Sequence, residues 1–177
     1  IAYDVEMMCP AWSAYYITPA DIQSNIPGRL DFYEDPDLRS LNIQQASTSS
    51  QAFNESWNKG HCAPSRIMSG SHSFKKACYT MANIAPQEGY FNQHPWNQLE
   101  SKVYEWVGAN HSLHVLTGVS YNNRDIARRT YDDIAVPDQY WKVLCDKKNG
   151  QSVGFIGENY ERSEDKRKEM WVKRPVE

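Results

Sequence analysis

The apolar spacing of residues 93–109 leaves that segment one stable form. Trp96, Leu99, Val103, Trp106 and Val107 recur at three- and four-residue intervals, the repeat of a helix with a single buried stripe. Pro95 reads as a first-turn residue, where its missing N–H is no loss, and Gly108 with Asn110 supplies a stop. At about 100° per residue, Glu100 falls roughly 40° from Trp96 and Asn92 roughly 40° to the other side. An unpartnered ionised carboxylate on an inward face is costly. Either Glu100 lies at the margin of the stripe with its head in water, or this face looks onto a polar, cation-containing site.

A stripe of this kind needs an apolar surface to lie on, and the flanking sequence offers one in extended form. Residues 1–18 read as two strands joined by a turn, with Cys9-Pro10 as a break, and Thr18-Pro19 opens a short helical turn. Residues 57–61 form a strand ending near His61, in which Gly60 admits a close backbone approach. Residues 77–84 and 113–119 read as further strands. Residues 139–145 and 152–156 make an antiparallel hairpin about Asn149-Gly150. The charged tail 158–169 has helical character, and 170–176 adds a last strand. Residues 25–54 read as loop with short strand fragments, bordering the site with Arg29 as contributor. The expectation is one α+β domain over residues 1–177, built on a central antiparallel sheet; 177 residues suffice for a sizeable core.

The net charge of −3 and pI near 6.0 do not advertise a nucleic-acid binder. The total hides local basic clusters at Lys75-Lys76, Arg124 with Arg128-Arg129, and Lys166-Arg167-Lys168, each more often a solvated face than a binding site. No apolar run is long enough to span a bilayer, and the chain opens on Ile1-Ala2-Tyr3 with no targeting pattern. Four cysteines (Cys9, Cys62, Cys78, Cys145) without a Cys-x-x-Cys pair argue against a zinc ribbon. Two disulfides, as in a secreted protein, and four buried thiols are equally compatible with them.

A lone histidine after Lys-Gly is weak evidence of chemistry, but the order of motifs is specific. Asn58-Lys59-Gly60-His61-Cys62-Ala63-Pro64, then Asn83-Ile84-Ala85-Pro86-Gln87, then Phe91-Asn92-Gln93, Trp96 and Leu99-Glu100 resembles the DNA/RNA non-specific endonucleases. These are ββα-metal (His-Me finger) enzymes whose signature is Asp-Arg-Gly-His. Arg29 with Phe32 and Asp35-Pro36 is similar to the family's arginine-containing loop.

The resemblance implies a Mg²⁺-dependent enzyme, Mn²⁺ being the substitute, that cuts DNA and RNA to 5′-phosphate products through backbone contacts. It implies His61 as general base, Asn92 as the direct metal ligand, and Glu100 as acceptor from a metal-bound water. Asn83 would belong to the same polar shell, and Arg29 would neutralise the phosphate. Homodimerisation or an inhibitor protein, and a secreted or organellar location, go with the family; a membrane does not. Asn58 and Lys59 depart from the signature's Asp and Arg: a carboxylate acceptor is lost, and a bidentate phosphate contact becomes a point charge. Both would contact substrate. These departures motivate a second reading, a catalytically weakened homologue serving as a binding or structural subunit.

Overall fold

A computed structural model of the chain describes residues 1–54, 56–125, 127, 129–130 and 132–160, and the backbone of 171–174. The opening hairpin pairs β1 (Ala2–Asp4) with β2 (Cys9–Ile17). Pro10, expected as a break, lies inside β2 opposite Tyr3, beside an irregularity in register that absorbs its missing donor. To β2 are added β5 (Leu113–Ser120), β6 (Gln139–Asp146), β7 (Gln151–Glu158) and β8 (Trp171–Arg174). All neighbours are antiparallel, in the order β1-β2-β5-β6-β7-β8. The sheet and the hairpin at Gly150 match the sequence expectation, as does β8. The helical tail expected at 158–169 falls mostly outside the described residues.

A separate two-stranded ribbon joins β3 (Trp57–His61) to β4 (Ile84–Glu88). Residues 77–84, expected as a strand, instead finish a helix and make a tight turn. Short helices α1 (Pro36–Ser40), α2 (Ser65–Met68) and α3 (His72–Cys78) precede that turn. Polar side chains bend the chain here: Ser71 accepts from Phe74 N at 3.2 Å and Thr80 from Ala82 N at 3.3 Å. Helix α1 breaks the expected loop for the same reason, since Asp35 caps it by accepting from the Asp37 and Leu38 amides.

The striped helix is longer than its sequence signals. It begins with α4 (Gly89–Phe91), where the Glu88 carboxylate accepts from Phe91 N at 2.7 Å. It passes through a π-turn at Asn92–Trp96 and continues as α5 (Asn97–Gly108). Pro95 therefore sits inside the helix rather than at its start. A proline there costs about 3 kcal/mol in an α-helix, because its ring meets the carbonyl four residues back; the wider π-turn relieves that clash. Phe91, Trp96 and Leu99 are buried against Tyr140, Ile84 and Ala85. At about 1.5–3 kcal/mol each, their burial outweighs the proline. Val103 and Val107 continue the stripe against Val115, Leu144 and Ile17, while Trp106, 37% exposed, lies at its margin.

Candidate active site

The ribbon and the helix that follows it form a ββα unit, and β3 carries its polar groups. Gly60 has no substitute there: a Cβ would lie 2.5 Å from Gln87 Cβ and 2.7 Å from the Tyr140 hydroxyl. On one side of the strand, Asn58 Oδ1 accepts from Asn92 Nδ2 at 3.0 Å and from Gln93 Nε2 at 2.9 Å. Asn92 opens the π-turn. With its Nδ2 engaged, its carbonyl oxygen is the atom left to face a cation. Gln93, adjacent in sequence, was not expected to take part.

Alternate residues of β3 meet an aromatic platform. The His61 ring lies 5.4 Å from that of Phe32 and 5.5 Å, edge-on, from that of Tyr79. The Arg29 guanidinium lies 5.4 Å and Lys59 Nζ 5.0 Å from the Phe32 ring. Burial first, then the Arg29 charge, pushes the His61 pKa down to about 4, against a hydrogen bond with the Lys59 backbone. Its Nε2 is buried and has no hydrogen-bond partner. The imidazole is thus neutral at pH 7 with an unused basic nitrogen. Lys59, expected on the phosphate, donates to the Thr48 carbonyl at 2.7 Å. Burial and Arg29 lower its pKa. It tethers the 44–51 loop as well as adding charge.

Asn83 and Glu100 differ from each other. Asn83 is fully buried with every polar position used: Oδ1 accepts from Ser13 Oγ (2.8 Å) and Ala63 N (3.0 Å), while Nδ2 donates to Ala63 O (3.0 Å) and Cys78 O (2.9 Å). No valence remains for substrate, so this residue, grouped with the reacting side chains from sequence, holds the turn that follows His61. Glu100 has its pKa pushed up to about 7 by burial, against the field of Lys142 and a contact with Trp96. Lys142, on β6, is 1% exposed, bonds Thr117 Oγ1 and lies 5.0 Å from the Trp96 ring. Sequence reading passed over it, although Tyr140, Lys142 and Leu144 alternate onto the buried face.

Among the described residues no group of three or more His, Cys, Asp or Glu side chains is placed to hold a metal ion. A cation at this site would rest on the Asn92 carbonyl, with water and substrate oxygens completing its shell. That suits a small hard ion that keeps its waters. All four cysteines are free, which decides against the disulfide alternative that the sequence allowed: Cys9 Sγ donates to Ala135 O at 3.3 Å and Cys78 Sγ to Lys75 O at 3.0 Å, in separate parts of the core. No helix among the described residues is long and apolar enough to cross a membrane.

Comparison with known proteins places this geometry in context. Mitochondrial endonuclease G from Homo sapiens is 24% identical over 154 residues, covering 81% of this chain and 51% of that protein. The Bos taurus counterpart is 23% identical over 154 residues, covering 81% and 50%. A nuclease from Nostoc sp. is 26% identical over 97 residues, covering 55% and 34%. The chain thus spans about half the length of the first two relatives. A solved structure described as the EndoG/EndoGI complex, on the mechanism of EndoG inhibition, superposes with a TM-score of 0.75 over 97% of this chain and 76% of that one, at 20% identity. It shares the fold. Residues 1–173 match the DNA/RNA non-specific endonuclease family throughout, and with the ββα unit in place the chain belongs to that family.

Proposed function

We propose that residues 1–177 act as one Mg²⁺-dependent, sugar-non-specific endonuclease domain that hydrolyses DNA and RNA phosphodiesters to 5′-phosphate products, with Mn²⁺ able to replace Mg²⁺. The observation that carries this is His61: a neutral imidazole with an unpaired Nε2, on the strand to which Asn92 is bonded through Asn58. The neutral ring takes a proton from water as that water attacks phosphorus. Arg29, exposed beside the same platform, balances the charge that builds on the phosphate. Asn58, which also accepts from Gln93, holds Asn92 by its Nδ2 and leaves the Asn92 carbonyl for the cation, and Glu100 orients water by accepting a hydrogen bond. The cation, when bound, supplies a second positive centre for the phosphate oxygens.

Of the two departures from the signature, Asn58 retains an acceptor for Asn92. Lys59 retains a charge beside Arg29. Both favour activity over the reading as a binding subunit. An inhibitor protein is a fitting partner, given the complex in which the structural neighbour was solved, and the mitochondrial relatives favour an organellar site over secretion.

The test is incubation of the purified protein with plasmid and with RNA, in Mg²⁺ and then in chelator. Cleavage of both that stops with chelator is expected. If neither is cut in Mg²⁺ or Mn²⁺, the enzymatic reading fails.

A further inference from the structure

Lys75 read from sequence as part of an exposed basic pair, yet it is 2% exposed. Its ammonium is held by three backbone carbonyls in succession: those of Ile26, Pro27 (3.3 Å) and Gly28 (2.6 Å). An ammonium has three N–H donors, and here all three are used on one loop. Leaving a buried cation without acceptors costs several kcal/mol, so the loop cannot leave Lys75 and Lys75 cannot leave the loop. Three such carbonyls converge only if the chain turns sharply, and Gly28, at φ +80°, makes that turn. The next residue is Arg29. Its guanidinium is exposed and lies over Phe32, with no ion pair of its own among the described residues. On the other side, α3 is seated by Ser71, its cap, and by Cys78, whose carbonyl is bound by Asn83. Asn83 in turn fixes the residues after His61.

We propose that Lys75 is a positioning residue which latches the 26–28 loop to α3 and so sets Arg29 in register with His61. The inference rests on Arg29 acting on the phosphate as proposed above. One connected set of bonds then runs from the arginine loop through Lys75, α3, Cys78 and Asn83 to Ala63, two residues past the base. The lysine touches neither substrate nor metal. Its charge is spent inside the protein, and its effect is exerted through where Arg29 can be.

The test uses Lys75→Met, which keeps the methylene stem and removes the donors, and Gly28→Ala, which strains the turn from the loop side. A Cβ at Gly28 meets nothing within 4 Å, so that variant acts through backbone conformation alone. The first readout is amide exchange at Ile26, whose N–H donates to Ser69 O at 2.9 Å. Exchange there should rise at least about tenfold in either variant, while the strand amides of β5 and β6 keep their protection. The second readout is the affinity for a single-stranded oligonucleotide in chelator, where no cleavage occurs. Lys75→Met should weaken binding about as much as Arg29→Ala does, and should add nothing in an Arg29→Ala background.

Unchanged Ile26 exchange in both variants would overturn the latch. Equal losses of affinity with and without Arg29 would overturn the positioning role. If Lys75→Met does not fold, Gly28→Ala decides both questions by the same outcomes, with smaller effects. Neither readout needs turnover, so a wild-type protein without nuclease activity would refute the enzymatic reading and leave this one to be judged separately.

Discussion

Two carboxylates at opposite ends of one helix have their acidities moved in opposite directions. Glu100, in the first turn of α5, is pushed up to about 7 by burial. Asp146 meets His111, three residues beyond the end of α5. Hydrogen bonds from His111 and Asn149 hold it down to about 2. Asp146 is saturated: His111 Nδ1 lies 2.7 Å away, Asn149 Nδ2 2.6 Å and Asn149 N 3.1 Å. It closes a hairpin and does nothing else visible. By contrast, the His61 Nε2 is buried and unbonded, and Glu100 is half-buried with its pKa raised in spite of Lys142 and Trp96. Asp146 is satisfied within the protein, whereas the His61 Nε2 keeps unused capacity at a cost in stability, as does the buried Gln87 amide.

The comparison breaks first at His61. His61→Ala should lower the cleavage rate about 10²–10⁴-fold, the usual share of a general base, without lowering the urea midpoint. A rate within tenfold of wild type would place the base elsewhere. Asn83 tests the saturated class from inside the site. Asn83→Ala strands four partners and should cost on the order of 3 kcal/mol or more, read as a lower urea midpoint; unchanged stability would mean that its four bonds are not made in solution. Asn58 accepts from Asn92 and from Gln93, so with Asn92 as the proposed metal ligand Asn58→Ala should weaken Mn²⁺ binding about 10–100-fold by calorimetry. Full affinity would show that Asn92 needs no support.

Proton linkage offers a subtler test, made without metal. For His61 the folded pKa is depressed from 6.5 to about 4. The unfolded chain therefore binds more protons between those values, and stability present above pH 6.5 is lost as pH falls towards 4. For Glu100 the folded pKa is raised from 4.5 to about 7. The native state holds the extra proton, and stability present below pH 4.5 is lost as pH rises through 7. The slopes oppose each other between about pH 4.5 and 6.5. Glu100→Gln should steepen the rise of stability with pH there, and His61→Gln should reverse it, as urea midpoints across the window would reveal. Identical slopes in both variants would remove the assigned shifts. The smallest effect is expected of Asp146→Asn: a drop of a few degrees in Tm with cleavage unaltered. A loss of activity would tie the hairpin end to the site.

The ribbon strand β3 and the helix that carry the candidate residues could be read from residues alone, because both are local in sequence. His61 and Asn58 fall on a strand and Glu100 in the first turn of α5, whereas Asn92 opens a π-turn, so the 100° spacing that set it on the face of Glu100 does not carry into the fold. Arg29 could be named but not placed, since what places it is a lysine 47 positions beyond the neighbouring Gly28. Lys75 and Lys142 were illegible for a shared reason: nothing in a lysine's neighbours in sequence tells whether its ammonium meets water or a carbonyl. The strand expected at 77–84 failed because caps from Ser71, Thr80 and Asn83 compete with extended chain, and such caps follow no period.

The sequence by itself determined the α+β class, the antiparallel hairpins and the apolar stripe of the helix, because periodicity and turn residues act over a few positions. Only the tertiary structure decided that Pro95 lies within a π-turn, that Asn83 is fully spent on its neighbours, that the four thiols stand apart, and that a buried lysine governs the arginine loop. Each of those depends on which distant carbonyl, ring or amide comes within about 3–5 Å, and that is a property of the packed chain rather than of any stretch of it.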